Sequence, residues 1–246
     1  MNRLGPPVTI TLRIPGRWSG PRELIESMPE GCRLKPESLV LSNGTHIELG
    51  FREADDQFAG IFRTSCRQEP TDEEMATVDG YTVNVLLSGP GGSLEAAHTM
   101  MQAGAAIVQA GGAGVFIDNS ALAHGGQNWL AMTDDGGPDA LGFAFVSIIR
   151  GKEQVWTMGM HALGLRDILM NRSDIEVDGF DIVEVIRYLS RGDKPIGDGH
   201  VIADLDGPRF QAFFAQVNSD MPPDSPMHNP FGQLKLVSVR DISESN

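Results

Sequence analysis

The sequence predicts an α+β fold on a ferredoxin-like β-α-β-β-α-β plan, and three observations predict it. First, the strand-like run Tyr81–Leu87 passes through Ser88-Gly-Pro-Gly-Gly92 into an Ala-rich helical segment, Ser93–Ala110, which Gly111-Gly112 return to a second strand-like run, Ala113–Ile117. Second, two more strand-like runs follow, Gly142–Arg150 and Gln154–Met160, joined by Gly151-Lys-Glu153. Third, an amphipathic helix beginning at Asp178 leads into a last short strand ending near Ile202. Strand, helix, strand in this order reads as a right-handed crossover between parallel, neighbouring strands, and the whole order from 81 to 204 is the split plan of ferredoxin-like domains. An N-terminal β-α-β-β order reads as a second, shorter unit of the same kind. The soft boundary between residues 1–75 and 76–246 lies in a polar, acidic stretch.

In chain order, Val8, Ile10, Leu12 and Ile14 alternate with Thr9, Thr11 and Arg13, the pattern of a half-exposed strand. Ser19–Met28 reads as a short helix with Pro21 in its first turn, where a missing N–H costs nothing. Ser38–Leu41 and Thr45–Phe51 form a hairpin across Asn43-Gly44, with His46 on its outer face. Residues 60–65 are read as one more edge strand, and Thr71–Met75 as solvated loop or a helical turn.

In the Ala-rich segment Ser93 supplies a capping hydroxyl, and Glu95 lies near the positive end of the dipole. Glu95, Thr99, Gln102, Ala106 and Gln109 make one narrow stripe. The rest is apolar or small, so the helix packs on more than one side. Ile117–His124 is read as loop, Gln127–Met132 as a short helix, and Gly142–Arg150 as a central strand with both faces apolar. Asp178 caps the next helix with Asp181 three residues on, Ile182, Val183, Ile186 and Leu189 facing inward, and Gly192 ending it. Residues 208–217 fit strand and helix equally. The proline-rich Met221–Pro230 is extended loop, Leu234–Val239 a terminal strand, and Arg240–Asn246 a free tail.

Composition narrows the function classes. The net charge is −14, spread along the chain without a basic patch, which argues against a phosphate backbone or an anionic membrane as partner. No run is long enough to span a bilayer, and the first residues lack the apolar core of a signal peptide. Cys32 and Cys66 are too few for a disulfide framework and read as reduced thiols of a cytoplasmic protein.

Thr157-Met-Gly-Met160, Leu163-Gly-Leu165, the amphipathic helix and Gly197-Asp-Gly199, with Leu87-Ser-Gly-Pro-Gly-Gly92 upstream, resemble a bacterial family recorded as domain of unknown function 4261. The likeness spans residues 81–204. After the Gly-Leu step, where that family has acidic residues, this chain has Arg166-Asp167. The resemblance implies a soluble bacterial protein and brings with it no activity, cofactor or catalytic residue.

Candidate ligand groups are few. Gly89, Gly91, Gly92 and Ser93 stand where a strand runs into a helix, a place whose N–H groups suit an anion, yet no P-loop lysine follows and Glu95 opposes phosphate. His124 and His161 each follow a strand and would meet at one sheet edge with Asp118 as orienting carboxylate. No histidine pair has metal-ligand spacing, so neither metal nor cofactor is expected. Neither cysteine is set up as a thiolate, and no nucleophile elbow is present. Two functions follow as expectations: a non-enzymatic, immunity-like module that binds a protein partner, or a small-molecule sensor or enzyme near the 89–93 loop, His124 and His161.

Overall fold

The structure is a computed structural model that describes residues 7–175, 180–192, 195–203, 209–215 and 221–239. It is a mixed α+β fold with two sheets. The first has seven strands, β1 (Thr9–Gly16), β2 (Arg33–Lys35), β3 (Ser38–Val40), β4 (His46–Glu53), β5 (Val83–Pro90), β6 (Gly114–Ile117) and β7 (Leu122–Gly125), in the order β2-β3-β4-β5-β1-β6-β7. Every neighbouring pair in it is antiparallel.

β5 and β6 point the same way but do not lie side by side, as the sequence had suggested. β1 lies between them, with Leu12 opposite Leu87 on one edge and Ile117 on the other. The reason is geometric. Alternation along a strand reports which face is buried and carries no information about which backbone edges are paired. β1, β2, β3 and β4 thus share a sheet with β5, and the boundary drawn at 75/76 is crossed by the β1–β5 and β4–β5 ladders.

Helix α4 (Leu94–Gln109) lies across β5, β1 and β6. Glu95, Gln102 and Gln109 are exposed, while Ala106, placed on the polar stripe by its angle, is buried. Beyond α4 lie α5 (Gly126–Asp135), α6 (Pro138–Phe145) and a 3-10 turn, Met160–Leu163. Helix α1 (Pro21–Glu26) keeps the expected proline in its first turn. The opposite face of the sheet is covered by α2 (Phe58–Ser65) and α3 (Asp72–Asp79), through Phe58, Phe62, Val78, Tyr81 and Phe116.

The second sheet holds β8 (Ser147–Arg150), β9 (Gln154–Met158), β10 (Asp167–Asn171), β11 (Val201–Ala203), β12 (Arg209–Ala215) and β13 (Gln233–Ser238) in the order β11-β12-β13-β10-β9-β8. Among its described strand pairs only β10 and β13 run parallel. Helix α7 (Phe180–Arg191) packs on its inner face, where Ile182, Val185 and Ile186 join Ile168, Leu234 and Leu236 in the common core. The strands of residues 81–204 are thus divided between two sheets, and neither carries the ferredoxin-like order. What exists of it is the split crossover β5-α4-β6 around β1, and no second tandem unit forms from β1–β4.

Residues 142–145, expected in a strand, belong to α6. Pro138 and Asp139 open that helix, and a segment apolar all round looks the same as a buried strand or a buried helix. Residues 60–65 are helical rather than an edge strand. Thr71 and Glu74 form a capping box that starts a full helix where loop or a single turn was expected. Residues 122–125 pair with β6 instead of forming loop, 209–215 resolve as strand, and β10 was not foreseen. The expected cap at Asp178 and the tail from 240 lie outside the described residues.

Candidate functional site

The 89–93 loop joins β5 to α4. Gly91 N–H donates to the Val8 carbonyl at 2.8 Å, and Gly92 N–H donates to the Ala162 carbonyl at 2.9 Å. Ser93 Oγ accepts from Ala96 N–H at 3.1 Å, which is the expected cap. The contact with the 3-10 turn is close: a Cβ on Gly164, itself at φ +80°, would come within 2.4 Å of the Gly92 carbonyl oxygen. The donors at Gly91, Gly92 and Ala96 are therefore spent inside the fold, and the loop clamps the first sheet onto residues 160–164. Ser93→Ala is expected to cost about 1 kcal/mol, read as a lowered denaturant midpoint with an unchanged slope.

His161 lies in that turn and is 1% exposed. Its Nε2 stands 3.0 Å from the Pro226 carbonyl and 3.1 Å from Asn119 Nδ2, and its buried Nδ1 has no hydrogen-bond partner among the described residues. Burial pushes its pKa down to about 4, with the nearby His228 adding to the effect, so the ring is neutral near pH 7. Asp118 does not reach it: that carboxylate takes two hydrogen bonds from Arg13, at 2.7 and 3.0 Å. The neighbouring Asn119 does. Fully buried, it accepts from Thr11 N–H at 3.0 Å, and its amide nitrogen lies 2.9 Å from the Thr9 carbonyl and 3.1 Å from that of Pro226.

His124 is held elsewhere, by the Ala144 carbonyl at 2.9 Å and between the rings of Trp129 and Phe143. Burial takes its pKa down to about 4, with Arg67 contributing. The fold thus joins the 89–93 loop and Asn119 to the turn bearing His161. Asp118 stays on Arg13, and no described hydrogen bond links His124 to His161.

Sequence reasoning missed Asp167. Its carboxyl accepts from Asn229 Nδ2 at 2.9 Å and from Met160 N–H at 3.2 Å. Burial raises its pKa to about 7 against these bonds. Asn229 is 62 positions away, so nothing local could have signalled it. Asn119 had one signal, the polar Asp118-Asn-Ser120 directly after an apolar strand. Cys32 and Cys66 are free thiols. Burial, assisted by Glu74, pushes Cys66 up to about 12, which leaves it an uncharged and poor nucleophile.

A second place was also missed. Where the β7 edge of one sheet meets the β8 edge of the other, a cleft of about 440 Å³ opens between α6, α7 and residues 65–67. Arg67, Arg150, Arg187 and Asp139 are its charged lining, and Phe143, Ile148, Val183 and Ile186 form its apolar walls.

Among the described residues no three His, Cys, Asp or Glu side chains are grouped to hold a metal ion, and no helix is long and apolar enough to cross a membrane. No protein-family model matches the chain, and no curated protein or solved structure matches it either.

Proposed function

We propose that this chain is a soluble, cytoplasmic, non-enzymatic module that binds a protein partner through the outer face of its second sheet, in the manner of bacterial accessory or immunity proteins. The resemblance of residues 81–204 to domain of unknown function 4261 is part of the same proposal and brings no catalytic residue into it. The observation that carries the reading is one row across that sheet. Ile149, Trp156, Leu169, Lys235 and Phe213 stand opposite one another on five successive strands. By strand alternation they share the face away from α7. All are half-buried or exposed, Phe213 by 38%, and Val201, 57% exposed, stands on the same side of β11. An apolar patch of this kind on a monomer marks an interaction surface.

The row's only charge is Lys235, which takes part in none of the described ion pairs. The complementary partner is therefore a protein surface presenting a carboxylate ringed by apolar side chains. The alternative, a sensor or enzyme at the 89–93 loop, His124 and His161, has less support, because those polar groups are used within the fold.

The test is affinity capture from the native host with the wild-type chain, Phe213→Asp and Lys235→Glu, each first checked for an unchanged circular dichroism spectrum. The expected result is a co-purifying protein that both variants recover at least tenfold less well. Background alone at every salt concentration, capture of nothing but a second copy of this chain, or equal recovery by the variants would contradict it.

A further inference from the structure

We propose that the cleft between α6, α7 and the β8 edge binds a small organic anion, with Arg67 and Arg187 meeting its charged head and Ser190 donating a hydrogen bond to it. This site is separate from the outer face of the second sheet, which lies on the other side of β8. Ile148 and Arg150 face the cleft, whereas Ile149 belongs to the outer row.

The chain carries a net −14, yet this cleft is lined by three guanidinium groups and one carboxylate, and Arg187, 45% exposed, also meets Glu184 at 2.7 Å and Asp139 at 4.0 Å. The carboxylate, Asp139, is already engaged by Arg191 at 2.6 and 3.0 Å. Arg67 is the clearest case. Its guanidinium donates to the Phe143 carbonyl at 3.0 Å and to the Val146 carbonyl, and it stacks on the Phe143 ring at 4.6 Å. None of the described ion pairs includes it. A half-buried cation fixed by carbonyls and an aromatic face is pre-organised for an anion that the fold itself does not supply.

An independent polar group also lines the cleft. Ser190 is fully buried, and among the described residues its hydroxyl has no hydrogen-bond partner. Gly142 packs closely over it, since a Cβ there would come within 3.1 Å of that hydroxyl and 3.2 Å of Ile186. Buried hydroxyls are nearly always bonded, so an unpartnered one lining a cleft is a group that a ligand there can engage.

Phe143, Ile148, Val183 and Ile186 are apolar walls, and a volume of about 440 Å³ lies in the usual range of small-molecule sites. The chemistry recognised is accordingly a phosphate or carboxylate joined to a compact apolar group.

Calorimetric titration of the full chain tests this with phenyl phosphate and benzoate as probes, and with inorganic phosphate and phenol as their separated parts. Saturable binding is expected for at least one of the two probes, at least tenfold tighter than for either part. Amide resonances of Phe143, Ile148 and Ser190 should move with it. Arg187→Gln, at a side chain 45% exposed, should keep the fold and weaken binding at least tenfold; Arg67→Gln should do the same. The proposal is overturned if neither probe binds saturably at millimolar concentration, or if Arg187→Gln binds as the wild type does.

Discussion

Trp129→Ala is expected to destabilise the chain by about 3–5 kcal/mol, the cost of deleting a large buried aromatic side chain. Trp129 is fully buried at the junction of α4, α5 and α6. Its indole N–H donates to the Met101 carbonyl at 3.1 Å, and Phe145 meets its ring edge-on at a centroid distance of 5.8 Å. The ring also lies on Gly104, where a Cβ would come within 2.9 Å of the indole nitrogen. Alanine at 129 would leave a cavity that three helices cannot close together. The melting temperature should fall by roughly 6–20 °C for a chain of this size, read by calorimetry. Gly104→Ala probes the same contact from the other side. In an open helix it would stabilise by about 1 kcal/mol; here the added methyl should destabilise instead, and a rise in stability would rule out the close indole contact.

Acid should weaken the fold through its two buried imidazoles. His124 and His161 have folded pKa values of about 4 against an ordinary 6.5, mainly from burial. Between pH 6.5 and 4 the unfolded chain binds protons that the folded chain refuses. Stability is therefore intact above 6.5 and is lost as pH falls toward 4, by on the order of 3 kcal/mol for each ring.

Asp167 acts in the opposite sense. Its folded value of about 7 lies above the ordinary 3.8, so the folded chain keeps a proton that the unfolded chain releases, and stability falls as pH rises through this window. With two groups against one, the net change is a loss toward acid. Urea midpoints at pH 4.5 and 7.5 should show it. Asp167→Asn should steepen the loss by removing the opposing carboxyl, and His161→Gln should flatten it. A wild-type midpoint independent of pH, with a slope untouched by both variants, would show that these groups are not buried as described.

What the sequence made legible, and what it hid, follows from the range of each signal. Local signals held: the Asn43-Gly44 hairpin, the Ser93 cap, Pro21 at a helix start and Gly192 at a helix end all depend on a few adjacent residues. Signals about faces held as well, since Ile10, Leu12 and Ile14 are buried as their alternation requires. Pairing was hidden, because β1 enters between β5 and β6 through backbone groups that every residue carries. The segment 142–145 was misread because apolar side chains in succession fit a buried helix as well as a buried strand.

The site was less legible than the fold. His124 and His161 drew notice as residue types, yet their roles depend on Ala144, Asn119 and Pro226, which no spacing connects to them. Arg67 and Ser190 carried no motif and became visible only when two sheet edges and two helices enclosed one space.

The division of labour between an outer face that meets a partner and polar core groups that hold the fold is tested most directly in one capture assay. The wild-type chain, Phe213→Asp and His161→Gln are compared at matched folded fraction. Retention of the partner by His161→Gln and its loss from Phe213→Asp is the predicted result; loss from His161→Gln with full retention by Phe213→Asp would contradict it.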